Sequence, residues 1–109
     1  MAYTYKVLGQ SAPSATTNTD VYTVGSGKQA IISTITIANR AATAATYRIA
    51  IRPAGATIAN QHYIAYDVTV LANDTTALTL GITLTATDVV TVYASTADLS
   101  FGIFGSEIS

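Results

Sequence analysis

The sequence predicts an all-β protein, a single antiparallel β-sandwich of about eight strands with a jelly-roll-like arrangement. Apolar side chains alternate with polar ones at a period of two in segment after segment, which is typical of strands with one buried face. Turn-forming residues separate these segments at intervals of about ten residues. No longer internal repeat is evident, which disfavours a solenoid or a propeller. We expect residues 1–109 to form one domain.

The alternation places eight strands, and each boundary coincides with a turn signal. The predicted strands cover residues 3–8, 20–24, 29–38, 45–52, 62–70, 75–84, 88–95 and 98–104. The strongest turn signals between them are Gly25-Ser26-Gly27, Pro53-Ala54-Gly55, Asn73-Asp74 and Thr87-Asp88. In the fifth strand the period predicts one shared face for Ile64, Tyr66, Val68 and Val70.

The stretch from Ile32 to Gly55 is the most regular part of the chain and predicts two antiparallel strands joined by a turn at Asn39–Ala45. The period predicts one shared face for Ile31, Ile35 and Ile37. The residues expected to fill the core are Ile35, Ile37, Tyr47, Ile49 and Ile51. The opposite side chains should form one small, nearly flat outer surface made of Thr34, Thr36, Arg48, Ala50 and Arg52.

The two ends of the chain lead to different expectations. Residues 1–19 combine a short strand pattern with a polar run of Ser, Thr and Asn. They form either an N-terminal arm that pairs with a neighbouring subunit or a long surface loop. By contrast, Leu99, Phe101 and Ile103 share one face near the carboxyl end. We therefore expect that end to be docked in a sheet.

Composition excludes several functions. Charged residues make up 10% of the chain, against about 25% in ordinary soluble domains, and the net charge is −1. Nucleic-acid binding needs clustered Lys and Arg, which are missing. A membrane span is also not expected, because Thr interrupts every apolar run. The absence of cysteine excludes disulfides and thiol chemistry. A surface this poor in charge favours coverage by partner subunits.

No pattern of residues predicts catalysis or a cofactor. His62 is the only histidine, and no activated nucleophile accompanies it. The carboxylates are spread along the chain without the spacing of a calcium loop or a glycosidase pair, and most are expected to cap turns. Gly25-Ser26-Gly27-Lys28 lacks the spacing and the following helix of a phosphate loop. We expect neither enzymatic activity nor a bound cofactor or metal.

The residues with the best prospects of contacting a partner are arginines and tyrosines. A guanidinium group presents a fork of donors to carboxylates or carbonyls, and a tyrosine on a strand face buries a large ring while its hydroxyl finds a polar partner. The candidates are Arg40, Arg48, Arg52, Tyr3 and Tyr5. The simpler alternative for the arginines is that they are solubilising surface charges.

The order of several segments resembles that of small structural proteins in the virions of tailed bacteriophages, particularly those infecting cyanobacteria. The segments are DVYTVGSGKQAIISTITIANR, TYRIAIRPAG, IAYDVTVLANDTT, GITLTATDVVTVYAS and LSFGIFGSEI. The resemblance covers roughly residues 20–108 and includes no diagnostic motif. It implies a β-sandwich or jelly-roll unit without an enzymatic site, which decorates capsids as a cement protein or belongs to a neck, tail or fibre.

From this resemblance we expect a capsid decoration protein that stabilises the head. Its partners would be the major capsid protein or other virion proteins and further copies of itself, with a trimer favoured. It would be assembled in the host cytoplasm and located in the virion. The resemblance leaves open a tail, neck or fibre component of the same virion. The tyrosines leave open a carbohydrate-binding module, although the lack of tryptophan counts against it.

Overall fold

A computed structural model describes residues 2–109 and confirms an all-β sandwich of eight antiparallel strands. Two single 3₁₀ turns, Pro53–Gly55 and Asn60–His62, lie between the fourth and fifth strands. No helix within this range is long and apolar enough to cross a membrane. The strands are β1 (Tyr3–Ser11), β2 (Thr19–Thr23), β3 (Gln29–Asn39), β4 (Ala45–Arg52), β5 (Tyr63–Val70), β6 (Thr75–Thr85), β7 (Val89–Ala94) and β8 (Leu99–Ile108).

The strand order is that of a jelly roll. One sheet, sheet A, has the order β1-β8-β3-β6, and the other, sheet B, has the order β2-β7-β4-β5. The strands therefore pair as a nested set in which first meets last, second meets seventh, third meets sixth and fourth meets fifth. This nesting results when one long antiparallel ribbon wraps around a single core.

The core lies between the two sheets and is filled by their inward side chains. Tyr47 of β4 packs edge-on against Phe101 of β8, with ring centroids 6.3 Å apart. The side chains that are almost completely buried are Val24, Ile32, Ile35, Ile37, Tyr47, Ile49, Val70, Val90, Val92, Leu99 and Ile103. They come from both sheets, so neither sheet could bury its inner face alone.

A register shift in β3 changes the face on which Ile31 lies. The pairing of β3 with both of its neighbours shifts between Ile32 and Thr34. Ile32 is consequently buried completely, whereas Ile31 is 41% exposed. The prediction that Ile31 shares a face with Ile35 and Ile37 is wrong because the period of two holds only where a strand is not interrupted by a bulge.

The two strands of the most regular stretch lie in different sheets. β3 pairs with β6 and β8, and β4 pairs with β5 and β7. They therefore face each other across the core instead of forming a hairpin. The predicted single outer surface is wrong for this reason, because the threonines of β3 and the arginines of β4 lie on opposite outer faces. Ala50, the central member of the predicted surface, is buried.

The two ends of the chain are adjacent in sheet A. β1 lies at the edge of the sheet and pairs with β8 of the same chain. Within residues 1–19, for which an arm or a surface loop was predicted, residues 3–11 form this strand, and Met1 lies outside the described residues. β8 runs between β1 and β3, which confirms that the carboxyl end is docked in a sheet.

Candidate interaction surface

The outer face of sheet B carries the arginines of β4, and Arg48 is engaged within the chain. Its Nε donates to Asp67 Oδ1 at 2.7 Å, and its Nη2 donates to Asp67 Oδ2 at 3.3 Å. The guanidinium also lies 4.1 Å from the ring centroid of Tyr66 and 4.2 Å from that of Tyr93. The hydrogen bond from Arg48 holds the pKa of the Asp67 carboxyl below its usual range. Arg48 thus already has an acidic partner and two aromatic neighbours.

A local irregularity in β5 creates this arrangement. The pairing of β4 with β5 shifts between Tyr47 and Ile49, opposite a segment in which Asp67 has a positive φ of 51°. Tyr66 and Asp67 therefore both face Arg48 on the outside, while Val68 pairs with the buried Tyr47. The prediction that Tyr66 and Val68 share a face is wrong for the same reason.

Arg52 is held by four acceptors of the same chain. Its Nε donates to Thr91 Oγ1 at 3.0 Å, and its Nη2 donates to Asp20 Oδ1 at 2.9 Å. Its Nη1 donates to the carbonyl oxygens of Gly55 and Ala56 at 3.1 and 2.9 Å. Only 17% of the Arg52 side chain is exposed. This arginine fastens the turn after β4 to β2 and β7.

The remaining polar candidates also have structural contacts. Arg40 Nη2 donates to the carbonyl oxygen of Ala97 at 2.9 Å. His62 Nδ1 accepts the backbone N–H of Ala59 at 3.0 Å and so closes the second 3₁₀ turn. Asp88 accepts the backbone N–H groups of Ala54 and Thr85, each at 2.9 Å, which confirms that it caps a turn. Among the described residues, no three His, Asp or Glu side chains form a group that could hold a metal ion.

The outer face of sheet A presents exposed aromatic and aliphatic side chains. Tyr3 is 62% exposed and Tyr5 is 85% exposed. The strand register places Tyr5 in one row with Ser106 and Ile31, and Val7 in the next row with Phe104. Since directly opposed residues of a sheet share a face, these side chains form one patch. We call it the tyrosine face, which consists of Tyr3, Tyr5, Val7, Ile31 and Phe104.

The tyrosine face lacks charge. Only two charged residues lie in the four strands of sheet A, namely Lys6 and Glu107. The register places Lys6 opposite Gly105, in one row with the buried Ile32, and places Glu107 opposite the buried Ala30. Both charged residues therefore belong to the inner side of the sheet. The outer face of sheet A is thus uncharged within the described strands, whereas that of sheet B carries paired charges.

The side of the sandwich where β1 and β2 lie is closed by close packing and polar contacts. A Cβ on Gly9 of β1 would stand 2.5 Å from the carbonyl oxygen of Val21, so only glycine permits this approach. The Tyr22 hydroxyl of β2 donates to Glu107 Oε2 of β8 at 2.8 Å. Lys6 and Lys28 lie 3.4 and 3.6 Å from the other carboxylate oxygen. We call this the sealed side.

The opposite side of the sandwich, between β5 and β6, is not closed in this way. Ile64 and Val68 of β5 remain 47% and 39% exposed. They line a cavity of about 320 Å³ together with Tyr47, Ala65, Leu78, Leu80 and Ile82. Ile64, Val68, Leu78, Leu80 and Ile82 are named the open edge from here on. It is formed only by apolar side chains, which leave one margin of the sandwich partly exposed.

The structure therefore separates the predicted contact residues into exposed tyrosines and arginines that already have partners in the chain. Tyr3 and Tyr5 are exposed on the tyrosine face, whereas Arg48 and Arg52 are engaged with their own chain. Sequence reasoning missed Val7, Ile31 and the open edge. A register shift concealed Ile31, and the open edge depends on which strands lie at the margins of the two sheets.

The fold and these surfaces define a jelly-roll protein in which the outer face of sheet A is apolar and uncharged and one side of the sandwich is not closed. No protein-family model, curated protein or solved structure matches the chain.

Proposed function

We propose that the protein is a capsid decoration protein of a tailed bacteriophage, which stabilises the head by binding capsid protein and further copies of itself. The observation that carries the proposal is the tyrosine face. A contiguous apolar patch on a folded protein is typical of a surface that is covered by a partner. This patch is joined to an outer face without charge, so a partner can cover it without desolvating ions.

The mechanism follows from burial of this face. Each Å² of apolar surface removed from water contributes about 25 cal/mol. Tyr5 is well suited to such a contact because its ring supplies area and its hydroxyl can bond to a backbone group of the partner. Repeated over many copies on a shell, a modest contact of this kind holds neighbouring capsid subunits together. Because Arg48 and Arg52 are bound to their own chain, apolar and hydroxyl groups make the contact with the partner.

The proposal is tested by co-sedimentation of the purified chain with expanded capsids of the phage that encodes it. We expect the unmodified chain to bind and the double variant Tyr3→Ser/Tyr5→Ser to bind at least about tenfold more weakly, which corresponds to about 1.4 kcal/mol. Leu71→Ser is the matched control, because Leu71 is 63% exposed but lies outside the tyrosine face. Failure of the unmodified chain to bind capsids would overturn the proposal.

Copy number separates the head from the tail. A decoration protein is present in hundreds of copies per virion, whereas a neck, tail or fibre component is present in far fewer. Quantitative mass spectrometry of purified virions, with the major capsid protein as the internal standard, gives this ratio. A low ratio would place the chain in the tail and contradict the decoration role.

A further inference from the structure

The strand β6 is an edge strand with few of the features that normally prevent edge-to-edge association. Native sheets protect their edges with charges, proline, bulges or short strands. At the other three edges, β1 contains Lys6 and β2 has only five residues. The third, β5, contains Asp67 and two register shifts. β6 has eleven residues with no charge and no proline. Its pairing with β3 has one register shift, between Thr79 and Ile82, but exposed residues still alternate with more buried ones along its whole length.

We propose that two copies of the chain associate through β6, which pairs antiparallel with β6 of the second copy about a two-fold axis at Leu80. The inference names the surface for the self-association included in the proposed function and therefore rests on it in part. The contact would join the two A sheets into one continuous sheet of eight strands. Because a two-fold contact uses the same surface on both copies, it joins two free chains or two larger assemblies equally well.

The sequence of β6 suits this symmetry. Leu80 is the central residue of the strand, and the residues two positions away on either side, Leu78 and Ile82, are both aliphatic. The two-fold axis brings Leu78 opposite Ile82 of the second copy and Leu80 opposite its own equivalent. On the outer face Ala77 lies opposite Thr83 of the second copy. Every cross-strand pair near the axis is therefore neutral, and apolar residues meet apolar residues.

The open edge gives a second reason for the contact. Leu78, Leu80 and Ile82 belong both to β6 and to the uncovered cavity beside β5. Pairing of the β6 strands places the open edges of two copies side by side, where each can cover the other. An eleven-residue strand is about 37 Å long and a sandwich edge is about 20 Å wide with side chains, so the contact buries roughly 1,400 Å² in total. Stable interfaces bury about 1,200–2,000 Å².

Cysteine crosslinking tests the register directly, because the chain contains no cysteine of its own. Ala77→Cys and Thr83→Cys are both exposed, outward-facing positions. In the proposed dimer, position 77 lies opposite position 83 of the second copy, whereas equivalent positions lie about 20 Å apart. We expect a short bismaleimide to crosslink an equimolar mixture of the two variants, in up to about half of the dimers, and neither variant alone. Lack of a crosslink in the mixture, or equal crosslinking of each variant alone, overturns the inference.

A charge variant provides an independent measurement. Thr79→Lys places two lysines near the two-fold axis, and we expect it to raise the dissociation constant of self-association at least tenfold in sedimentation equilibrium. Thr34→Lys is the matched control, because Thr34 lies directly opposite Thr79 on the inner neighbour β3. An equal effect of both variants, or of neither, contradicts the β6 contact. Crosslinking without capsid binding would retain this inference and reject the capsid role. Capsid binding without crosslinking would retain the capsid role and reject this inference.

Discussion

The sealed side and the open edge are the two margins of the sandwich, and the chain closes only the first of them. A sandwich must close its core along both margins. At the sealed side the chain does this itself, with the Gly9–Val21 contact and the bond from Tyr22 to Glu107. At the open edge Ile64 and Val68 remain substantially exposed. The comparison indicates that intrachain stability is concentrated at one margin and that the other margin is available for association.

The largest loss of unfolding free energy is expected for a substitution at Gly9, where β1 and β2 approach each other most closely on the sealed side. Gly9→Val would force a side chain against the carbonyl oxygen of Val21, and we expect the free energy of unfolding to fall by about 3 kcal/mol. Gly81→Val in β6 is the matched control, because no atom lies within 4 Å of its Cβ position. Urea denaturation at low protein concentration measures both. Equal losses in the two variants would show that the margins do not differ in packing.

A smaller effect is expected at the open edge. Ile64→Thr removes a side chain that is only half covered, and we expect it to lower the free energy of unfolding by about 1 kcal/mol. Ile49→Thr, at a completely buried position of β4, should cost about 3 kcal/mol because it also buries a hydroxyl group. Chemical denaturation compares the two. If Ile64→Thr cost as much as Ile49→Thr, the open edge would be closed in the isolated chain.

The smallest effect concerns acid stability at the sealed side. The hydrogen bond from Tyr22 is the main cause that lowers the pKa of Glu107. Burial raises this pKa, and the nearby Lys28 and Lys6 lower it further. A carboxyl group with a lowered folded-state pKa stabilises the protein above its unfolded-state pKa of about 4.3. This stabilisation is lost as the pH falls through the lower folded-state pKa. We expect Glu107→Gln to reduce the fall in unfolding free energy between about pH 5 and pH 3.

Asp67→Asn is the control for this pH dependence. The pKa of Asp67 is also lowered, first by its hydrogen bond with Arg48, but 47% of the Asp67 side chain is exposed. Solvent screens such a pair, so Asp67→Asn should change the acid profile less than Glu107→Gln. A larger change with Asp67→Asn would assign the acid sensitivity to the outer face of sheet B.

The sequence predicted where the strands lie along the chain better than it predicted which strands pair with each other. The period of two identifies a strand and its faces from local residues alone, so β4 and its buried face, with Tyr47 and Ile49, were predicted correctly. Strand pairing depends on contacts between distant segments, and for this reason β3 and β4 were not separated into two sheets. Bulges were missed as well, because nothing local to Ile31 signals the register shift at the following residues.

The candidate contact residues show the same limit. Tyr3 and Tyr5 were identified by residue type and are exposed as a contact would require. Arg48 and Arg52 were identified in the same way, but Asp67 and Asp20 engage them. These acidic partners lie 19 and 32 residues away along the chain. Residue type predicts the ability to make a contact, whereas the fold decides whether that ability is already used.

The central position of β8 has a consequence for the order of folding. During synthesis β1 and β3 leave the ribosome long before β8, although β8 is the strand that joins them. Until β8 is made, β1 has no partner strand in its sheet, and β3 can pair only with β6. Folding that depends on such distant pairing takes milliseconds to seconds, and the waiting strands are open to wrong association. Slow translation of the last strand would therefore prolong the period in which a chaperone is most useful.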